Sequence, residues 1–256
     1  MKAVILAGGP GSRLSEEATV GPKPMVEIGG HPILWHIMKF YSHYGVNDFV
    51  ICLGYEGYLI KEYFANYLQH VSDITVDFRT GERIIHQNNA EPWRVTMVDT
   101  GAESMTGGRL RRVKDHIGDE TFCMTYGDGV SNVDVPQLVA LHRGHGRLAT
   151  LTAVRPPGRF GVVELDDHRV TRFHEKPVGG ASWINAGFFV LEPVVIDFIE
   201  GDSIHWEREP LGALARQGDL HAYKHDGFWQ PMDTLRDRVL LDQLWADGSA
   251  PWKVWA

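Results

Sequence analysis

Short apolar runs that end in glycine alternate along this chain with longer segments whose apolar residues recur at helical spacing. This alternation restricts the fold more than any other feature. The run 2–7 ("KAVILA") stops at Gly8, 48–53 ("DFVICL") stops at Gly54, and 121–126 ("TFCMTY") stops at Gly127. Residues 31–45, 57–71, 106–118 and 135–146 read as helices. Strands buried on both faces are continuously apolar, and parallel neighbours need a helical crossover between them. The pattern therefore predicts an α/β fold with a doubly wound, mixed, mostly parallel sheet.

The remaining segments extend that frame. Residues 73–78 and 93–100 read as strands, with a polar hairpin or loop at 79–92 between them. After Gly158 the texture changes. Residues 159–177 read as an antiparallel hairpin turning at Asp166-Asp167, and 182–193 as a further strand. Residues 221–248 read as a strand, a turn at Pro231 and a closing helix. The C-terminal half is thus expected to be rich in antiparallel pairing. With no internal repeat or low-complexity linker, residues 1–256 are expected to form one domain, whose halves meet at about residue 150.

Composition narrows the partners. A formal net charge of −8 opposes nucleic-acid binding through a generally basic surface, so an anionic ligand must be met by a few local cations. The two cysteines, Cys52 and Cys123, sit in apolar strand-like runs, which suits buried thiols in a reducing cytoplasm. No apolar segment reaches membrane-spanning length, and the expectation is a cytoplasmic protein with no membrane partner.

Four stretches carry chemistry. In "LAGGPGSR" an apolar strand runs into Gly8, Gly9, Pro10, Gly11, Ser12 and Arg13. Glycines let backbone N–H groups approach phosphate oxygens closely, although a plain strand-to-helix turn has the same look. Neither the dinucleotide fingerprint nor the P-loop fits, because Leu14 stands where the former needs glycine and the latter's Gly-Lys-Ser/Thr is missing. Arg13 and Lys23, the latter in "PKPM", add two cations to that segment, and a polyanion bound there is the simplest reason for them. "YGDGV" places Asp128 at the end of an apolar strand, where ligands of open α/β sheets bind, but a Gly-Asp-Gly turn needs no ligand. In "FWQPMDT", Asp233 reads either as a metal ligand or as a helix-capping acid. Two such carboxylates suit Mg²⁺ together with substrate phosphates. In "FHEKP", Glu175 and Lys176 are a surface pair or a second anion site, with Asn185 of "INAGFFV" following. The thirteen histidines, including His142 with His145 and His221 with His225, lack the cysteine or acid partners of a zinc site.

Together, "LAGGPGSR", "PKPM", "YGDGV", "EKP", "INAGFFV" and "FWQPMDT" stand in the order found in the sugar-1-phosphate nucleotidylyltransferases, and the chain resembles that family over essentially its whole length. The longer strings "PMVEIGGHPILWHIMKFY", "EPWRVTMVDTG" and "SMTGGRLRRV" resemble the members that use CTP and glucose 1-phosphate. The resemblance implies a Rossmann-like fold, Mg²⁺ held by Asp128 and Asp233, and attack of the sugar phosphate on the α-phosphorus of CTP. By the same analogy Arg13 meets the β and γ phosphates and Lys23 the α-phosphate. Leu6, Ala7, Gly8, Gly9, Pro10, Gly11, Ser12, Ser104, Arg109 and Gly127 face the nucleotide. Glu175, Lys176 and Asn185 hold the sugar phosphate. Cytosine rests on "ESMTGGR" alone, so a uridylyl- or thymidylyltransferase is the alternative. A silent subunit is disfavoured because Arg13, Lys23, Asp128, Lys176 and Asp233 are all present. Relatives of this kind are homo-oligomers, which makes the tail tryptophans Trp252 and Trp255 candidates for an interface, or for a groove on their own subunit.

Overall fold

Ala3, Val4, Ile5 and Leu6 are all buried, so the first strand, β1 (Lys2–Leu6), must have protein on both faces. The computed structural model, which describes residues 1–9, 21–155, 162–166, 169–174 and 182–256, shows why. β1 lies inside a seven-stranded sheet with β2 (Asp48–Leu53), β3 (Arg94–Asp99), β4 (Phe122–Tyr126), β5 (Ala149–Val154), β6 (Ile184–Leu191) and β7 (Leu220–His225). The order across the sheet is β7-β5-β6-β4-β1-β2-β3. β1 pairs in parallel with β2 and β4, β2 with β3, and β5 with β7. Only β6 runs against its neighbours. The sheet is therefore mixed and mostly parallel.

Each face carries its own core, and alternate residues of one strand feed different cores. Ala3 and Ile5 join Phe49, Ile51 and Phe188 on one face, beneath α1 (Ile33–His43). Val4 and Leu6 join Val50, Cys52 and Phe189 on the other, with Leu110 of α3 (Thr106–Arg112). The remaining helices are α2 (Gly57–Val71), α4 (Lys114–Ile117), α5 (Val135–His145), α6 (Glu209–Gln217) and α7 (Leu235–Ala246). None of the helices among the described residues is long and apolar enough to cross a membrane.

Several local expectations need adjustment. The single helix expected over 106–118 is interrupted at Val113, giving α3 and α4. Within the polar stretch 79–92, Glu82–Gln87 forms a strand that pairs with Asp73–Asp77, so the chain reverses earlier than a loop over the whole stretch would allow. Val162–Asp166 pairs with Arg169–His174 as the hairpin reading anticipates, while Asp167 and His168 of its turn lie outside the described residues. Antiparallel pairing in the C-terminal half is confined, among the described residues, to β6, that hairpin and the ribbon of Trp229–Pro231 with Gly129–Ser131. Both cysteines are buried and free, and burial pushes each thiol up to about 12.

Trp252 is fully buried against its own chain, stacked on Phe228 and Trp245, and its indole N–H donates to His36 Nδ1. His36 must then donate from Nε2 to the Ile28 carbonyl, 2.8 Å away, which fixes it as the neutral tautomer. Burial lowers its pKa from 6.5 to about 4. A group that resists protonation in the folded state gives stability that is full above 6.5 and is lost as pH falls from there toward 4. Thermal melts are expected to show this loss, on the order of 3 kcal/mol at most, and His36→Gln is expected to flatten the slope through that window.

Candidate active site

The strands leave β1 for β2 and β3 on one side, whereas β4 returns to the other side of β1, so the sheet has its switch point between β1 and β4. Ligands of open α/β sheets bind beyond the carboxyl ends of strands at such a point. A cavity of about 520 Å³ opens there, walled by Leu6 at the end of β1, by Ala7, Gly8 and Gly9 following it, and by Gly127 and Asp128 after β4. A smaller one of about 200 Å³ adjoins it and is lined by Asn185, Ala186 and Trp229. Tyr126, Asp128 and Asp233 belong to both walls.

A short ribbon brings the two acids together. Gly129–Ser131 follows Asp128 directly and pairs antiparallel with Trp229–Pro231, and the Met232 N–H continues the ladder to the Asp128 carbonyl at 2.8 Å. Asp233 is left at the end of this ladder beside Asp128. The capping alternative for Asp233 is taken by its neighbour. Thr234 is the N-cap of α7, its hydroxyl accepting from the Asp237 N–H while the Asp237 carboxylate accepts from the Thr234 N–H. Asp233 is thereby free to face inward.

Lys23 meets both acids. It lies on a 3₁₀ turn, Lys23–Met25, whose entry is set by the extended backbone of Pro22. Pro24 packs on Gly127, where an added Cβ would sit 3.1 Å from the proline Cγ and from the Leu6 carbonyl. The Lys23 Nζ donates to Asp128 Oδ2 at 2.7 Å and to Asp233 Oδ1 at 2.6 Å. Burial alone would lower the Lys23 pKa, but the charges and hydrogen bonds of Asp128 and Asp233 outweigh it and raise the pKa above 10.5. A cation already spans the two carboxylates, and the side chains of the acids stay 34% and 35% exposed toward the cavity. This is a fitting donor set for Mg²⁺, a hard cation bound by one or two carboxylates with substrate phosphates completing the shell. Among the described residues no group of three His, Cys, Asp or Glu side chains could hold a metal by itself.

The glycines of the site have different reasons. The Arg109 guanidinium, almost wholly buried, donates to the carbonyls of Gly8, Leu53, Gly101 and Ala102 and to the Thr100 hydroxyl, all between 2.8 and 3.1 Å. It pins the ends of β1, β2 and β3 together, and a Cβ on Gly8 or Gly54 would come within 2.2 or 2.4 Å of it. Gly107 and Gly108 admit backbone instead: their N–H groups donate to the Ile204 carbonyl, and a Cβ on Gly108 would lie 2.3 Å from the Asp202 carbonyl oxygen. The N-terminus of α3 is thus capped by a distant loop. A Cβ on Gly9 would meet no described atom within 4 Å, so no packing among the described residues requires that glycine.

Of the residues singled out in the sequence, Leu6, Ala7, Gly8, Gly9, Lys23, Ser104, Arg109, Gly127, Asp128 and Asp233 line the larger cavity. Asn185 lines the smaller one, with its side-chain oxygen accepting from the Gly187 N–H at 2.8 Å. Pro10, Gly11, Ser12, Arg13, Glu175 and Lys176 lie outside the described residues. Arg109 reaches the wall with its guanidinium committed to carbonyls and a hydroxyl, a positioning task that the nucleotide contact implied by resemblance does not include. Tyr55, Tyr126, Thr106 and His205 line the larger cavity as well. Tyr126 and Thr106 lie inside quoted motifs, whereas His205 belongs to a stretch with no readable pattern. His142 and His145 both bond the Thr150 hydroxyl, away from this site.

Comparisons with known proteins bear on the family and the fold. The sequence profile described as "Nucleotidyl transferase" matches residues 2–234. Glucose-1-phosphate cytidylyltransferase of Salmonella typhi is 59% identical over 256 residues, covering 100% of both chains. The probable glucose-1-phosphate cytidylyltransferase of Bacillus subtilis is 44% identical over the same full length. Among solved structures, HddC from Yersinia pseudotuberculosis superposes with a TM-score of 0.71 at 22% identity, covering 95% of this chain and 99% of that one. A UDP-glucose pyrophosphorylase complexed with UDP-glucose superposes with a TM-score of 0.68 at 16% identity, covering 96% and 98%. These two share the fold. Matched by the profile over nearly its whole length and by curated relatives from end to end, the chain belongs to the nucleotidyl transferase family.

Proposed function

We infer that this protein transfers the cytidylyl group of CTP to glucose 1-phosphate, forming CDP-glucose and releasing pyrophosphate, with Mg²⁺ as its cofactor. The observation that carries the reading is Lys23 held between Asp128 and Asp233 on the wall of a cavity at the sheet's switch point. The 59% identity to the Salmonella typhi cytidylyltransferase supports the choice of base and sugar.

The chemistry needs no covalent nucleophile from the protein. An oxygen of the sugar phosphate forms a bond to the α-phosphorus as the bond to the pyrophosphate oxygen breaks, so the protein's task is alignment and neutralisation of charge. Lys23 would swing from the carboxylates to the α-phosphate. Gly9 leaves room for the triphosphate to lie against backbone, and Arg13 is assigned to its β and γ phosphates. Asp128 and Asp233 would hold Mg²⁺, which when bound offsets phosphate charge and polarises the reacting phosphoryl group. Glu175, Lys176 and Asn185 are assigned to glucose 1-phosphate, with Asn185 on the smaller cavity.

Pyrophosphate release with glucose 1-phosphate and Mg²⁺ tests the reading when CTP, UTP, dTTP, ATP and GTP are run in parallel. Release strong only with CTP is the expected result. Release only with UTP or dTTP would retain the mechanism and replace the base, and release with none would remove the assignment.

A further inference from the structure

Tyr126 is the largest side chain shared by the walls of the two cavities, and both its ring and its hydroxyl have partners. Its ring lies over Gly187, where a Cβ would be 2.4 Å from the tyrosine Cδ2, so β6 carries a glycine, with φ of +82°, beneath it. Its hydroxyl donates to Glu207 Oε1 at 2.5 Å. The other oxygen of that carboxylate, Oε2, accepts from the Thr106 hydroxyl at 2.6 Å. The Thr106 oxygen in turn accepts from the Trp206 N–H at 2.9 Å, so its proton is directed to Glu207. Thr106 is the first residue of α3 and lines the larger cavity. Glu207 lines neither cavity.

One carboxylate outside the site therefore ties the partition between the cavities to the helix at the far wall of the larger one. We propose that Glu207 is a positioning residue for the transfer, holding Tyr126 so that nucleotide and sugar phosphate are set in line across it. The proposal rests on the reading of the larger cavity as the nucleotide subsite and the smaller as the sugar-phosphate subsite. Charge-assisted bonds to two hydroxyls fix both donors in direction as well as distance. Reacting atoms must approach to about 3–3.5 Å, and misplacement by about 1 Å costs on the order of 10²-fold in rate. An exposed glutamate of purely structural value would leave the balance between kcat and the two KM values alone.

The test compares Glu207→Ala, Glu207→Gln, Tyr126→Phe and the double variant Glu207→Ala/Tyr126→Phe in steady-state pyrophosphate release, each with a thermal melt. Glu207→Ala is expected to lower kcat about 10- to 100-fold and to raise the KM for glucose 1-phosphate more than that for CTP. Glu207→Gln recovers most of the loss, because its amide oxygen still accepts from Tyr126 while its NH₂ donates to the Thr106 oxygen. The double variant is expected to be no worse than the poorer single one. Wild-type kcat and KM values in Glu207→Ala, losses that simply multiply in the double variant, or a Gln variant no better than Ala would each overturn the proposal. Should Glu207→Ala fold poorly, Glu207→Asp, whose shorter carboxylate cannot reach both hydroxyls, takes its place in the same cycle with Tyr126→Phe, and losses that simply multiply there overturn the proposal. A wild-type protein that makes no pyrophosphate from CTP and glucose 1-phosphate would remove the functional reading, and this proposal with it, before any variant is compared.

Discussion

Lys23→Met is expected to lower turnover by about 10²- to 10³-fold, the range found when one preorganised donor to a developing charge is removed. At the same time it is expected to tighten binding of Mn²⁺ to the protein without nucleotide by about tenfold, equivalent to about 1.4 kcal/mol. The two effects have opposite signs because Lys23 has two sets of partners. In the structure its ammonium bridges Asp128 and Asp233 at 2.7 and 2.6 Å. On the proposed function it leaves them for the α-phosphate before they hold a divalent cation. Removing the ammonium leaves two carboxylates with no cation between them, which favours metal entry, and leaves the phosphate without its point charge. Titration of Mn²⁺ followed by its electron paramagnetic resonance signal reads the first effect without any turnover. Unchanged Mn²⁺ affinity in Lys23→Met would break the link between lysine and metal. Loss of Mn²⁺ binding in Asp233→Asn identifies the pair as the site, and retained binding there would move the metal elsewhere.

How much of this was legible beforehand follows from which contacts are local. The alternation of apolar runs and helical segments placed β1, β2 and β4, because burial on both faces is written into consecutive residues. Lys23 and Asp128 stood out for the same reason: a cation between prolines and an acid between glycines are local anomalies. That Asp128 and Asp233 meet is a different kind of fact. They are brought together by the ribbon of Gly129–Ser131 with Trp229–Pro231, a pairing that no spacing announces. The glycine pair at 107–108 stands in the segment whose resemblance implies a nucleotide contact, yet it is shaped by the carbonyls of Asp202 and Ile204, nearly a hundred residues downstream in chain order. Residues 201–208 carry no pattern of their own, so His205 and Glu207 had no signal in the sequence, whereas α6 did have one, in Pro210 at its first turn, Leu211 and Leu214 on one face and Gly218 at its end. Likewise the tail tryptophans are amphipathic in isolation, and only the fold shows Trp252 closing over His36 of its own chain.

Gly8→Ala is expected to destabilise the protein by about 3 kcal/mol, the upper part of the range for overpacking a filled interior, although Gly8 has no left-handed backbone to relieve. The obstacle is one side chain: the new Cβ would sit 2.2 Å from Arg109 Nη1 and 2.4 Å from its Cζ. To make room the guanidinium must withdraw, and it then drops carbonyls of Gly8, Leu53 and Gly101 that are bonded at 2.8 to 3.0 Å. Arg109→Ala drops the same bonds and is expected to cost about 3–5 kcal/mol, since each buried acceptor left bare costs about 1–3 kcal/mol and water recovers part of it. The two losses share one cause, so they should not add. In the Arg109→Ala background the methyl group of Gly8→Ala finds the space the arginine left, and the double variant is expected to match Arg109→Ala in its urea midpoint. Additive costs would mean that Gly8 is constrained by something other than Arg109. Gly9→Ala separates packing from function in the same loop. With no described atom within 4 Å of the added Cβ, its stability should stay within about 0.5 kcal/mol of wild type, while CTP turnover falls if phosphates pass over that backbone. A protein that keeps both its midpoint and its turnover with alanine at position 9 would place the triphosphate away from Gly9 and leave Gly8 a glycine only for the sake of the arginine beneath it.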